Sequence, residues 1–117
     1  MGLVADSVAD YVAVLEAANI VVTTDPRNVR PPCTFVDSPT IRSLSSEIVE
    51  LVIPVVLLAP PPGNADAMAA LLALVDDVMD ASTPASTITG DPGLYSIGGQ
   101  DMPAYTLRVT VAYRKDN

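Results

Sequence analysis

Residues 47–59 read Glu47-Ile48-Val49-Glu50-Leu51-Val52-Ile53-Pro54-Val55-Val56-Leu57-Leu58-Ala59. In a β-strand, successive side chains point to opposite faces. Ile48, Val52, Val56 and Leu58 then share one face, and Val49, Leu51, Ile53, Val55 and Leu57 share the other. Both faces are apolar, and such a strand has to be covered on both sides. A small domain has limited means to do so alone, so Val55 and Val56 are the expected points of contact with a neighbouring subunit. Pro54 has no N–H for a ladder bond and predicts an edge position or a bulge. Glu50 and Pro54 interrupt the run, which is too short for a membrane helix of about 20 residues.

Working outward, Pro60-Pro61-Pro62-Gly63 stops the strand and Asn64 is a good N-cap for a helix over 65–81. Met68, Leu71, Leu72, Val75, Val78 and Met79 form its apolar stripe, with Ala69, Ala70, Ala73, Asp76, Asp77 and Asp80 opposite. Upstream, Val4, Val8, Tyr11, Val12 and Leu15 repeat at helical spacing and predict an amphipathic helix over 3–18. Asn19 follows, where a left-handed cap is common. Ile20–Thr24 and Cys33–Asp37 read as short strands. Thr40–Arg42 continues the second after a kink at Pro39, and 43–46 is a polar connection. Residues 83–93 mix a possible short strand with turn residues, and Gly90-Asp91-Pro92-Gly93 and Gly98-Gly99 read as loops. From Tyr105 to Arg114, apolar residues alternate with Thr106, Arg108, Thr110, Ala112 and Arg114, the pattern of a half-buried strand. Lys115-Asp116-Asn117 is a polar tail. The order α-β-β-β-α-β-β predicts an α+β fold. Its mainly antiparallel sheet would have four to five strands, with two helices packed on one face.

At 117 residues and 12.2 kDa, the chain forms one domain over 1–117. Half of it is hydrophobic, enough to bury a core. Six Lys and Arg stand against 14 Asp and Glu, a net charge of −8. That excludes phosphate neutralisation as the main activity. Histidine is absent and Cys33 is the one cysteine, which removes imidazole bases, internal disulfides and multi-cysteine metal clusters. No phosphate-binding loop is present. The expectation is a non-enzymatic protein without cofactor or metal. The first 18 residues carry Asp6, Asp10 and Glu16 and no Lys or Arg, unlike a signal peptide. Synthesis in the cytoplasm is the default, with no membrane partner.

Asp76, Asp77 and Asp80 occupy the last turns of the second helix, where the dipole disfavours carboxylates by about 0.3–1 kcal/mol each. They read as a solvated face, as a surface for a basic partner or an electronegative channel, or as a divalent-metal cluster. Arg108 and Arg114, on the polar side of the last strand, read as a solvated edge or as salt-bridge donors to a neighbouring subunit. Asp6 and Asp10, one helical turn apart, read as a solvated face or as a carboxylate pair for acid–base chemistry. Cys33 reads as a buried thiol with no base to activate it.

The motifs together carry a resemblance over nearly the full length. Val8-Ala9-Asp10-Tyr11 in the first helix is followed by Asp25-Pro26-Arg27 and Pro31-Pro32-Cys33. Pro62-Gly63-Asn64-Ala65-Asp66 opens the second helix and Pro103-Ala104-Tyr105-Thr106-Leu107 the last strand. The chain resembles the tail terminator proteins (minor tail, or head–tail joining, proteins) of long-tailed phages that infect actinobacteria. The resemblance implies a subunit of a ring, usually hexameric, in the virion neck. The ring caps the tail tube, ends polymerisation of the major tail tube protein and meets the head–tail connector or stopper. DNA passes through its lumen without specific binding, and an acidic wall would repel it. Two alternatives stand beside this reading. One is a head-completion or stopper neck protein. The other is a small ligand-binding α+β domain that dimerises through its sheet.

Overall fold

A computed structural model describes residues 3–30, 32–59, 65–82, 85, 87–97 and 99–114. The expected N-cap Asn64, the proline stop and the polar tail lie outside them. The elements run α1 (Leu3–Ala17), β1 (Val22–Thr23), a 3-10 turn (Pro26–Asn28), β2 (Cys33–Val36), β3 (Thr40–Ser43), β4 (Ile48–Leu58), α2 (Ala65–Ala81), β5 (Thr87–Ile97) and β6 (Gln100–Arg114). The chain is α+β and its sheet is mainly antiparallel. Strand order is β1-β2-β4-β6-β5, with β3 also paired to β4 and only β1–β2 parallel.

The six strands exceed the expected four to five for two reasons. Thr40–Ser43 does not prolong β2. It forms its own ladder further along the same side of β4, Thr40 opposite Val52 and Ser43 opposite Val49. The glycine- and proline-rich stretch after α2 is not a loop but an 11-residue strand, paired with β6 from Thr87–Thr110 to Ile97–Gln100. β5 is an edge strand, where a proline is tolerated because one side needs no partner. Gly90 fits because a Cβ there would lie 2.6 Å from Leu107 Cδ2. Gly99, at φ 79°, closes the hairpin in a conformation that suits glycine.

β4 sits in the interior of the sheet, so Pro54 is not at an edge. It pairs with Arg108 in register, while its carbonyl accepts from the Asp37 N–H on the other side. In an antiparallel strand a residue's N and O point the same way. The missing N–H therefore faces the kink between β2 and β3, and the β4–β6 ladder loses nothing.

The two faces of β4 divide as the sequence predicts, but both are used within the chain. Val49, Leu51, Ile53, Val55 and Leu57 share one buried cluster with Tyr11 and Leu15 of α1, Leu71 and Val78 of α2, and Leu107, Val109 and Val111 of β6. On the other face Val56 and Leu58 join Cys33, Phe35, Met102 and Ala104, flanked by Val29 and Tyr95. The Phe35 and Tyr95 rings are 6.0 Å apart, yet their strands are three steps apart in the sheet. At about 4.8 Å per step a flat sheet would hold them much further apart. The β5–β6 hairpin therefore curls over this face and supplies the second cover.

α1 ends as its sequence indicates. Asn19 adopts φ 65°, and the N–H groups of Ala18 and Ile20 both return to the Leu15 carbonyl. α2 is rotated relative to expectation. Ala67, Leu71 and Val78 are buried and Leu74 half-buried, whereas Met68, Leu72 and Met79 remain 46–49% exposed.

Candidate functional site

The residues singled out from sequence fall into three groups, and the fold does not bring them together. Val55 is fully buried in the larger core cluster and Val56 is 4% exposed in the second cluster. Neither is offered at the surface of the chain, because α1, α2 and the curled hairpin already cover them. Contact with a neighbour has to use other side chains.

Arg108 and Arg114 are exposed on β6 and have partners in their own chain. Arg108 Nη1 donates to Asp91 on β5 at 3.0 Å, and Arg114 Nη2 lies 3.8 Å from Glu47. Asp91 stands opposite Thr106, so it shares a sheet face with Arg108 two residues along. Exposed pairs of this kind contribute about 0.2–1 kcal/mol. They orient the edge rather than hold the fold. Tyr105 and Tyr113 line the rim of the main core, and the Tyr113 hydroxyl donates to the Ser7 carbonyl at 3.3 Å.

Asp76, Asp77 and Asp80 are all exposed near the end of α2. Asp77 and Asp80 border a shallow depression with Ala18, Asn19 and Ala81, so α1 ends beside them. The helices carry Asp6, Asp10, Glu16, Asp66, Asp76, Asp77 and Asp80 and no Lys or Arg. That is seven of the 14 acidic residues and none of the six cations, so the helices carry −7 of the net −8. No ion pair among the described residues includes a helical carboxylate. The acidity of the chain is therefore concentrated on its helices, where like charges add to a negative local potential.

Cys33 is buried and its thiol is pushed above the usual range by burial, against a weaker pull from a backbone hydrogen bond with Arg30. Asp25 accepts from the backbone and guanidinium of Arg27, which hold its carboxyl below the usual range. That carboxylate closes the Asp25-Pro26-Arg27 turn. No group of three His, Cys, Asp or Glu among the described residues is placed to hold a metal ion. No described helix is long and apolar enough to cross a membrane.

Two features were missed from sequence. The first is an open groove of about 1090 Å³ between α1 and the sheet edge, lined by Val4, Val8 and Val12 with Val36 and Pro39, and bordered by Glu16 and Asp37. Its signal was an apolar stripe on α1 wider than Ser7, Tyr11 and Leu15, the positions actually buried. The second is a buried hydrogen bond of 2.7 Å between Tyr11 Oη and Ser82 Oγ, 71 residues apart in the chain. No local pattern announces it. No protein-family model matches the chain, and no curated protein matches it significantly.

Proposed function

We propose that the chain is a structural subunit of the neck of a long-tailed phage. In this reading both helices cover one face of the sheet. Copies close into a ring, six being the expected number, that caps the tail tube, ends its polymerisation and joins tail to head. The observation that carries the reading is the use made of the segments that bear the resemblance. Asp25 caps a turn, Cys33 fills the second core cluster, and Ala104 opens the β4–β6 ladder. Each is spent on folding, as expected of a protein that works through its surfaces. The acidic helices fit a channel wall that holds DNA phosphates off by like charge.

The test is genetic. A phage lacking the chain should make overlong tails that fail to join heads, with normal tails restored by the wild-type gene. Tails of normal length in the deletion overturn the reading. Replacing Asp76, Asp77 and Asp80 by Asn separates the channel wall from the cap. Normal tails with slowed DNA ejection support an acidic wall, and unchanged ejection rejects it. A second reading, a small ligand-binding domain, is favoured by one observation, the apolar groove beside α1. It predicts a two-fold dimer in solution.

A further inference from the structure

Among the described residues, the large hydrophobic side chains left exposed are Val21, Ile41, Leu44, Met68, Leu72, Met79 and Leu94. They are not scattered. Val21 precedes β1 and Ile41 and Leu44 belong to β3 and its turn, at one edge of the sheet. Leu94 lies on β5 at the other edge. Met68, Leu72 and Met79 share one flank of α2, since steps of four and seven return to the same side of a helix. That flank faces away from α1. Asp77 and Ala81, each roughly half a turn from Met79 around the helix, border the depression where α1 ends, together with Asp80. α2 packs over β4 and β6 while α1 packs beside β1, so the methionine flank looks toward the β5 edge. Ile41 stands opposite Leu51 in register and so shares the helix-side face of the sheet. Val21, between the core residues Ile20 and Val22, and Leu44, bonded back to Ile48, turn to the opposite face, so the exposed apolar side chains on the helix side are Ile41 at one edge and the methionine flank with Leu94 at the other.

We infer that these surfaces are two halves of one interface: the α2–β5 side of one copy docks on the β1–β3 side of the next, head to tail. Charge disfavours a two-fold pairing of the α2 sides. Meeting itself, the α2 side would set Asp76 and Asp80 of one copy against the same residues of another, with no cation on either helix. The β1–β3 side carries both signs, Arg30 and Arg42, the described arginines outside the ion pairs of this chain, together with Asp37 and with Glu50 opposite Arg42. Strand direction agrees. β3 and β6 both run against β4, and β5 runs against β6, so β5 and β3 are antiparallel to each other. Copies placed side by side in one orientation therefore set antiparallel edges together, the pairing that open edge strands favour. A heterologous contact of this kind closes into a ring when its rotation permits. Methionine supplies side chains that adapt to the surface they meet. The inference rests on the ring reading and identifies the surfaces that would build it.

The experiment is complementation between two blocked variants. Ile41→Asp spoils the β3 side and leaves the α2 side intact, and Leu72→Asp does the reverse. Both positions are about half exposed, at 56% and 46%. Circular dichroism melts check folding, and Met79→Asp replaces Leu72→Asp if that variant unfolds. Analytical ultracentrifugation should show wild type larger than a dimer and each variant monomeric. An equal mixture should form a one-to-one dimer and stop there, because each dimer has spent its only two intact surfaces. A mixture that stays monomeric, a variant that assembles like wild type, or a wild type that ends as a two-fold dimer overturns the interface. Wild-type rings that persist in both variants reject these surfaces and keep the ring. A wild type that is monomeric at every soluble concentration rejects self-assembly through these edges, and the tail-length test then decides the tail reading on its own.

Discussion

Removing the Ser82 hydroxyl should destabilise the protein more than removing the Tyr11 hydroxyl, although the two make the same bond. Ser82 Oγ donates to the Val78 carbonyl at 2.6 Å, so in the 2.7 Å contact the Tyr11 hydroxyl is the donor and Ser82 the acceptor. Ser82→Ala leaves that donor stranded on a side chain 1% exposed, at about 1–3 kcal/mol. Tyr11→Phe removes the donor and leaves Ser82 still bonded to Val78, at about 0.5–1.5 kcal/mol. In the double variant nothing is stranded, because the Val78 carbonyl keeps the Ser82 N–H at 3.0 Å. Its loss should match Tyr11→Phe alone. With single losses of about 2 and about 1 kcal/mol and a double loss of about 1, the coupling is about −2 kcal/mol. Unfolding entropy scales to about 0.25 kcal/mol per kelvin for a chain of this length, so Ser82→Ala should lower the melting temperature by about 8 °C. Urea titrations followed by circular dichroism, with unchanged slope, give the four free energies. Additivity within about 0.5 kcal/mol refutes the reasoning. So does a Ser82→Ala variant that is as stable as Tyr11→Phe.

Thr34 Oγ1 is buried with no hydrogen-bond partner; Thr34→Val, of nearly equal shape, should raise stability by about 1–2 kcal/mol in the same urea titration. Gly90→Ala should cost about 1–3 kcal/mol by thermal melt, since its Cβ meets Leu107, which is 2% exposed. Gly93→Ala, with nothing within 4 Å, should stay within about 0.5 kcal/mol. Burial raises the folded pKa of Tyr11 above 10.0 and of Cys33 above 9.0. Both groups stay protonated longer in the folded chain, so their contribution is complete below about pH 9 and is lost as pH rises through the folded values. Urea midpoints measured from pH 8 upward should fall, less steeply in Tyr11→Phe, and a flat profile contradicts this.

What could be read from sequence was what depends on neighbours in the chain. The alternation of Tyr105–Arg114 and the two apolar faces of residues 48–58 survive into β6 and β4 because strand periodicity is local. The cap at Asn19 is likewise local. β5 was hidden because Gly90, Pro92 and Gly93 signal a loop to their neighbours, while the partner that makes them a strand is β6. The separate ladder of β3 and the rotation of α2 also depend on contacts between distant segments. The candidate surfaces fared worst. Val55 and Val56 were read as uncovered because nothing local reveals that the hairpin bearing Tyr95 folds back over Phe35. Charge was more legible: Asp76, Asp77 and Asp80 remain exposed, as a run of aspartates on one arc of a helix implies.

Pro54, whose missing N–H faces the kink between β2 and β3, has a consequence before the chain is folded. Residues 48–58 are rich in β-branched side chains and nearly uncharged, the composition that stacks into intermolecular sheets when exposed. β4 reaches its full-length partner only by closing loops of 46 to 66 residues, counted from Leu58–Ala104 and Ile48–Arg114. The β5–β6 hairpin closes over two residues. The β4–β6 ladder thus forms late, after the local β3–β4 hairpin that sets Ser43 opposite Val49, and the β6-facing edge of β4 waits longest for its partner. On its other edge Pro54 offers no N–H, so a second chain cannot build a continuous ladder there before β2 and β3 dock. Because the native sheet asks for no N–H there, the safeguard is carried into the folded protein without a broken bond.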